Sequence, residues 1–430
     1  MNPLDYLFGL EQFGIKFGLD NIRTLVDALG HPERAFRSVH IAGTNGKGSV
    51  TAMVDAALRA AGRRSARFTS PHLIDLAERF VINGRPIEHD ALIAAIADVR
   101  DRIGVLLATG ALRAQPTFFE VTTAIAFELF RRAGVDIAII EVGLGGRLDS
   151  TNVITPIVTA ITSIAFDHEQ YLGDTLGAIA MEKAGIIKPG IPVVVGRVDA
   201  ESEAAITAVA RERGAEVVRA WDGVTVDRAR GAPDEAPRLR LRTPAHDYGE
   251  ITLSLRGEHQ IWNAVVAVRL LERLDQQGVA VPASAIAEGL ARVNWPGRLD
   301  HRRLSKGREM ILDAAHNPAG AAMLAAYIAE TLDRKPPLVF AVMRDKDAPR
   351  MFETLLPTVS ALILTRASTS RSADPDALAR HARAVAPNLP VVVEPTPGDA
   401  LAAAWRLSLR IVVAGSIFLL GDVIRETARS

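Results

Sequence analysis

The sequence predicts an α/β protein with two sheets: a central, mostly parallel sheet in the N-terminal part and a C-terminal, Rossmann-like doubly wound unit. Three observations carry that prediction. From Ser38 to about Val218 short apolar runs alternate with longer amphipathic ones, the beat of parallel strands joined by crossover helices. The break Asn294-Trp-Pro-Gly-Arg298 is followed by a second alternating series of the same kind. At 430 residues the chain exceeds what one hydrophobic core usually supports, and its 48% hydrophobic content is enough to build two.

The first series places a strand over Val39 to Ala42, a helix reaching Ala61, a helix from Thr117 to Ala133, and strands over Asp136 to Val142, Ile157 to Ile164 and Ile191 to Val195. Between about Trp221 and Arg256 the period drops to two, in Arg238-Leu-Arg-Leu-Arg242 and Ile251-Thr-Leu-Ser-Leu255. This predicts antiparallel strands appended to the main sheet. A long helix from Gln260 to Gln276 and another from Pro282 follow. The expected boundary divides residues 1–295 from 296–430. Strands of the second unit are expected at Met310 to Leu312, Leu338 to Val342, Ala361 to Leu364, Val391 to Val393 and Ile411 to Ala414.

Between the strand ending at Ala42 and the helix after it lies Ile41-Ala-Gly-Thr-Asn-Gly-Lys-Gly-Ser49. Glycines at 43, 46 and 48 allow a tight turn with inward-pointing N–H groups, the helix start favours anions, and Lys47 adds a point charge. The loop reads as a phosphate cradle and implies a nucleoside triphosphate, with an ordinary strand-turn-helix crossover as the alternative. It departs from G-x-x-x-x-G-K-[ST], because Ile41 stands at the first glycine position and Gly48 at the hydroxyl position.

Asp136 to Glu141 is a strand ending in a carboxylate, followed by the glycine-rich turn Val142-Gly-Leu-Gly-Gly-Arg-Leu-Asp-Ser-Thr-Asn152. An acid at a strand end beside a phosphate loop suits a magnesium ligand, although Glu141 could equally be a turn acid. Thr117 and Glu120 form a capping box ahead of an apolar run. In the second unit Ile311-Leu-Asp-Ala-Ala-His-Asn-Pro318 reads as strand, polar turn and helix start, which points Asp313 and His316 into the cleft between the units. Arg298, at the expected hinge, could reach phosphates on closure or form a salt bridge across the boundary.

Composition narrows the function classes. Lys+Arg 50 against Asp+Glu 50 gives zero formal net charge, so neither nucleic acid nor an anionic membrane surface is an expected partner. No Cys occurs, which excludes disulfides, thiolate metal sites and a cysteine nucleophile. The chain start lacks a secretory pattern and no apolar run reaches the roughly 18 residues of a membrane span, so a cytoplasmic protein is expected. Only seven lysines occur, at 16, 47, 183, 188, 306, 335 and 346, which singles them out wherever a compact or deprotonatable cation is needed.

Gly43-Thr-Asn-Gly-Lys-Gly-Ser49 resembles the loop of the dihydrofolate synthase/folylpolyglutamate synthase family, ATP-dependent amide ligases related to the Mur ligases. Further matches run in order to Ser416: Thr69-Ser-Pro-His-Leu73, Ile164-Ala-Phe-Asp-His-Glu169, Met181-Glu-Lys183, Gly257-Glu-His-Gln-Ile-Trp-Asn263, Met343-Arg-Asp-Lys-Asp347 and Gly415-Ser416. One small departure is Ala314, where the family usually carries glycine.

The resemblance implies ATP as co-substrate, bound by Thr44, Asn45, Gly46, Lys47, Gly48 and Ser49 together with Asn263 near the adenine, Arg298 and Asp313. It implies Mg2+ on Ser70, Glu141 and His168, and possible carbamylation of Lys183; read from sequence alone, His168 could be structural and Lys183 a surface lysine pairing with Glu182. It implies a pterin-binding wall of Phe118, Phe119, Glu120, Arg147, Leu148 and Asp149, and a glutamate site at His316 and Ser416. Lys47, Lys183, His316 and Arg298 are the expected catalytic residues. The implied reaction joins L-glutamate to dihydropteroate and to the γ-carboxyl of reduced folates through an acyl phosphate, in a monomer.

Rival readings are a monofunctional folylpolyglutamate synthase, a Mur ligase, a nucleotide kinase or switch GTPase, and a noncatalytic nucleotide-binding module. Only about 37 residues precede the first strand, short for the separate UDP-sugar domain of a Mur ligase.

Overall fold

The computed structural model describes residues 2–14, 16–229 and 236–428. Its first sheet is built from β1 (Arg37–Ala42), β2 (Ser65–Phe68), β3 (Phe80–Ile82), β4 (Arg85–Pro86), β5 (Ile137–Glu141), β6 (Val158–Ser163), β7 (Val193–Arg197) and β8 (Val217–Arg219). They lie in the order β4-β3-β2-β5-β1-β6-β7-β8, parallel except for the edge strands β3 and β4. The register pairs Ile41 with both Glu141 and Ala160, so β1 is central and the strand ends after Ala42, Glu141 and Ser163 open on one edge.

Near-continuous apolar runs are what a sheet covered on both faces requires. Along β5 the side chains divide by parity: Ile137 and Ile139 join one core with Met53, Val265 and Leu270, and Ala138 and Ile140 join the other with Phe68, Phe127 and Phe130. Helix Phe118–Arg132 starts on the expected capping box: the Glu120 N–H donates to Thr117 Oγ1 at 3.2 Å, and the Thr117 N–H donates to Glu120 Oε2 at 2.7 Å.

The period-two segment does not extend the main sheet as expected. β9 (Thr225–Arg228), β10 (Arg238–Arg242) and β11 (Asp247–Thr252) form a separate antiparallel sheet of three strands. Leu239 and Leu241 face inward against helices Glu258–Gln276 and Ala283–Arg292, while the arginines of β10 face solvent. Periodicity identifies which face of a strand is apolar and leaves its neighbour unspecified, so the alternation was right and the partner was not.

The third sheet comprises β12 (Asp300–Arg303), β13 (Glu309–Asp313), β14 (Pro337–Phe340), β15 (Ala361–Leu364), β16 (Val391–Val393) and β17 (Arg410–Ala414), in the order β12-β13-β17-β14-β15-β16. All pairs are parallel except β12 with β13. β12 escapes a hydrophobicity reading because Asp300-His-Arg-Arg303 has no apolar residue; it is an edge strand with Arg303 near Glu309. The helix after β13 begins at Pro318, with the Asn317 side chain accepting from the Gly320 N–H at 2.8 Å.

Candidate active site

The carboxyl edges of the first and third sheets face each other across a cavity of about 420 Å³. One wall is the glycine loop after β1. Gly43 and Gly46 have φ of +148° and +88°, and a Cβ on Gly43 would stand 2.0 Å from Thr162 Oγ1, so the turn admits no side chain there. Thr162 and Ser163 hydroxyls donate to the Asn45 carbonyl at 2.6 and 3.0 Å, and the Asn45 N–H donates to Ser163 Oγ at 3.1 Å, tying the loop to β6. Lys47 opens helix Lys47–Ala60, and its Nζ donates to the Gly43 and Thr44 carbonyls at 2.9 and 3.2 Å, inside the curve of the loop. Burial pushes its ammonium down from the ordinary lysine value, and the carboxylates of Glu141 and Asp167 pull the other way.

Glu141 ends β5 beside this loop, 4% exposed, and accepts the Ser70 N–H at 3.4 Å. Burial raises its carboxyl to about 7, against the opposing pull of Lys47. Lys183 is 4% exposed, and burial, reinforced by Lys47, lowers its amine to about 7. It is not the surface lysine that sequence alone allowed: Glu182 pairs with Arg147 instead, at 2.7 Å.

The facing wall comes from the third sheet. Asp313 ends β13 and accepts the N–H groups of Leu299 and Ala315, each at 2.9 Å, which fixes the segment carrying Arg298 against the sheet. His316 Nε2 lies 3.4 Å from Asp167 Oδ2, and its Nδ1 lies 2.8 Å from the Ala314 carbonyl. Asp167, from the loop after β6, also meets Lys346 Nζ at 2.6 Å and Asn317 Nδ2 at 3.1 Å. Burial alone would raise this carboxyl, but His316 and Lys346 outweigh it and hold Asp167 far below the ordinary carboxylate range. Asn317 exchanges hydrogen bonds with Asn45 at 3.3 and 3.0 Å, so the phosphate loop itself is tied across the cleft.

Two family models match, described as "Mur ligase middle domain" over residues 90–271 and "Mur ligase, glutamate ligase domain" over residues 297–417. A Bacillus subtilis protein named dihydrofolate synthase/folylpolyglutamate synthase is 36% identical over 353 residues, 81% of this chain and 81% of that one. This chain belongs to the dihydrofolate synthase/folylpolyglutamate synthase family. A Mycobacterium tuberculosis folylpolyglutamate synthase solved with ADP and AMPPCP superposes with a TM-score of 0.92 at 35% identity, covering 100% of this chain and 99% of that one. An Escherichia coli relative solved in complex with DHPP and ADP gives a TM-score of 0.86 at 28% identity, covering 100% and 99%. The chain is an ATP-dependent amide ligase of the Mur-ligase fold.

Most residues that the family resemblance singled out line the cavity: Thr44, Asn45, Gly46, Lys47, Gly48, Ser49, Ser70, Glu141, His168, Lys183, Asn263, Arg298, Asp313 and His316. Phe118, Phe119, Glu120, Arg147, Leu148, Asp149 and Ser416 lie outside that lining. Phe119 backs it, since a Cβ on Gly143 would meet the Phe119 ring at 2.4 Å. Phe118 stacks on Phe8 at 6.0 Å between centroids. Glu120 is occupied by its cap, Arg147 is exposed beside Glu182, and Leu148 is half-buried. Asp149 is buried, accepting the N–H groups of Leu144 and Thr151 at 2.9 and 3.0 Å, and thereby holds the glycine-rich turn in shape. Ser416 Oγ accepts the Phe418 N–H at 3.1 Å and caps the last helix.

A magnesium ion fits the Glu141 corner on chemical grounds. Glu141 is a buried carboxylate at a strand end, and Ser70 adds a hydroxyl oxygen to the same cavity wall, the hard oxygen donors that magnesium takes. His168 Nδ1 is buried without a hydrogen-bond partner, while its Nε2 stands 3.1 Å from Lys346 Nζ. Among the described residues no three His, Asp or Glu side chains gather into a ready-made cluster.

Sequence reasoning left Asp167 and Lys346 without a role, although both stood in quoted motifs. The available signals were modest: Asp167 precedes His168 after a strand, and Lys346 is one of seven lysines. No helix among the described residues is long and apolar enough to cross a membrane.

Proposed function

We propose that this enzyme joins L-glutamate to dihydropteroate and to the γ-carboxyl of reduced folates. The supporting observation is the convergence, on one cavity, of the Gly43–Ser49 loop and Glu141 from the first sheet with Arg298 and His316 from the far side. A reading as a nucleotide kinase leaves that second wall without a task. The names of the Bacillus subtilis, Mycobacterium tuberculosis and Escherichia coli relatives, which pair both activities, and the DHPP in the Escherichia coli structure support the dual substrate range.

In the proposed reaction the acceptor's carboxylate attacks the γ-phosphorus of ATP, the bond to the β-bridging oxygen breaks, and ADP leaves an acyl phosphate. The amine of glutamate then attacks the acyl carbon, phosphate departs, and the amine gives up a proton. The loop N–H groups with Thr44, Ser49 and Lys47 hold the polyphosphate, and Lys47 with Arg298 offsets charge on the transferring group. Asp313 positions Arg298 through the Leu299 N–H, and Asn263 steadies the loop against Gly46.

Glu141, Ser70 and His168 would hold magnesium, which supplies electrostatic stabilisation to the phosphates when bound. Lys183, neutral in part at pH 7, can add its amine nitrogen to carbon dioxide with loss of a proton, which places a carbamate anion in the same pocket. His316, whose two ring nitrogens face Asp167 and the Ala314 carbonyl, marks the glutamate end with Ser416, and the amine's proton passes to solvent. Phe118 and Phe119, with the turn held by Asp149 and bearing Arg147 and Leu148, form the pterin wall, and Glu120 fixes its helix. The unit boundary is placed between 295 and 296, in a cytoplasmic monomer.

The test measures phosphate release with ATP, magnesium and L-glutamate, with dihydropteroate in one reaction and tetrahydrofolate in another, and product masses for one added glutamate. Release in both is expected. Release in one alone makes the enzyme monofunctional, and release in neither removes the folate assignment.

A further inference from the structure

Gly48 stands where a lysine-bearing phosphate loop commonly carries a hydroxyl residue, and its backbone does not require a glycine. It is the second residue of helix Lys47–Ala60 and, unlike Gly43 and Gly46, it is not in the positive-φ region. Glycine is a poor helix former, so its presence here needs another cause. That cause lies to the side: a Cβ on Gly48 would stand 2.7 Å from Cζ2 and 3.1 Å from Cε2 of the Trp295 indole.

Trp295 is half-buried and packs on the first unit's apolar cluster. Arg67, on β2, lies with its guanidinium carbon 5.4 Å from the Trp295 ring centroid and pairs with Asp55 at 2.7 Å. Asp55 is fully buried, also accepts the Ser65 hydroxyl at 2.6 Å, and follows Gly48 by seven residues on the same helix, two turns along one face. The helix that opens at the phosphate loop therefore holds the indole twice, directly at Gly48 and through Arg67. Beyond the indole the chain is gripped from the other side. The Gly297 carbonyl accepts the Ala314 N–H at 2.9 Å and an Arg298 Nη1 hydrogen at 3.0 Å, and the Leu299 N–H donates to Asp313 at 2.9 Å. Arg298, whose side chain lines the cavity, thus lies between an anchor on the phosphate-loop helix and an anchor on the third sheet.

We propose that Trp295 is a positioning residue: seated on Gly48, it sets the place of the Arg298 guanidinium relative to the phosphate loop, and Gly48 is bare to receive it. The proposal rests on the reading of Arg298 as a group that offsets charge on the transferring phosphoryl. A misplacement of about 1 Å arising away from the chemistry can cost about 100-fold in turnover. An indole three residues before Arg298 is close enough to impose or prevent one.

The test measures kcat for phosphate release and the affinity for ADP, which lacks the transferring phosphoryl, on the whole enzyme. Trp295→Leu is expected to lower kcat on the order of 10- to 100-fold with ADP affinity near wild type, and Trp295→Phe, which keeps a flat ring, should recover most of the loss. Gly48→Ser should also lower kcat, and adding Trp295→Leu, which clears the space, should restore part of it. The deciding arm repeats Trp295→Leu in an Arg298→Ala background, where kcat should fall no further. A tryptophan that merely packs would cost the same factor in both backgrounds, and that result would overturn the positioning role, as would wild-type kcat in Trp295→Leu while Arg298→Ala is impaired. Wild-type kcat in Arg298→Ala would overturn the reading of Arg298 itself, and the positioning role with it.

Discussion

The two sheet edges that meet at the cleft hold their charges in opposite ways. On the first, half-buried Lys47 and buried Glu141 and Lys183 have no close ion-pair partner among the described residues, and desolvation is the largest influence on each. On the second, His316, Asn317 and Lys346 all converge on one carboxylate, Asp167, supplied from across the cleft. Uncompensated groups are what a charged ligand can complete, and a paired network is what holds two bodies together. The difference separates an edge whose charges are left for a ligand to complete from one tied across the cleft.

The largest expected effect breaks the first edge. Lys47→Ala should reduce phosphate release by several orders of magnitude while thermal unfolding stays near wild type, because among the described residues its Nζ hydrogen-bonds only the Gly43 and Thr44 carbonyls. Wild-type turnover would remove the loop from the mechanism.

Next comes the second edge. Asp167 and Lys346 side chains are each 7% exposed, and deleting one member of such a pair leaves the other buried and unpaired. Asp167→Asn should cost about 3 kcal/mol in denaturant unfolding, and Asp167→Asn combined with Lys346→Met clearly less than the sum of the two single changes. Additive losses would mean that the contact is not coupled.

A smaller effect reports burial on the first edge through pH. Unfolded Lys183 keeps its proton to about 10.5 and the folded group only to about 7, so the unfolded chain binds more protons between those values. Its burial therefore costs most below pH 7, and stability recovers as pH rises from 7 toward 10. Against Lys183→Met, wild type should gain in melting temperature over that window; a constant difference would show that folding does not lower the amine's proton affinity. The smallest effect is a surface control. Arg228→Ala removes an exposed pair with Glu330 at 3.0 Å and should change stability by about 0.5 kcal/mol or less.

The same comparison accounts for what could be read from sequence. Glycine loop, Glu141, His168 and Lys183 were legible because each belongs to a strand, its following turn and the next helix, where local chemistry determines geometry. The Asp167 network was not legible, because Asn317 and Lys346 lie 150 and 179 residues away and only the packing of two sheets brings them together. Glu120 and Asp149, expected at the pterin wall, also serve local structure: Glu120 Oε2 accepts the Thr117 N–H, and both Asp149 oxygens accept backbone N–H groups of their own turn. β12 and the separate three-stranded sheet were missed for lack of an apolar signal in one and of any partner information in the other.

The segment carrying Ser70 joins both edges. Ser70 N–H donates to Glu141, and three residues on, Leu73 packs with the second unit's apolar cluster so tightly that a Cβ on Gly421 would meet the Leu73 carbonyl oxygen at 2.1 Å. Three residues separate the contact at Gly421 from the Ser70–Glu141 hydrogen bond, so a motion of helix Ile417–Ala428 away from the first sheet would strain that bond. With the proposed magnesium bound at Glu141, its occupancy and docking at Gly421 would be linked. Whatever factor a ligand at Glu141 contributes to docking, docking returns to that ligand's affinity, and a residue change at 421 would be felt first as a shift in binding at a site it never touches.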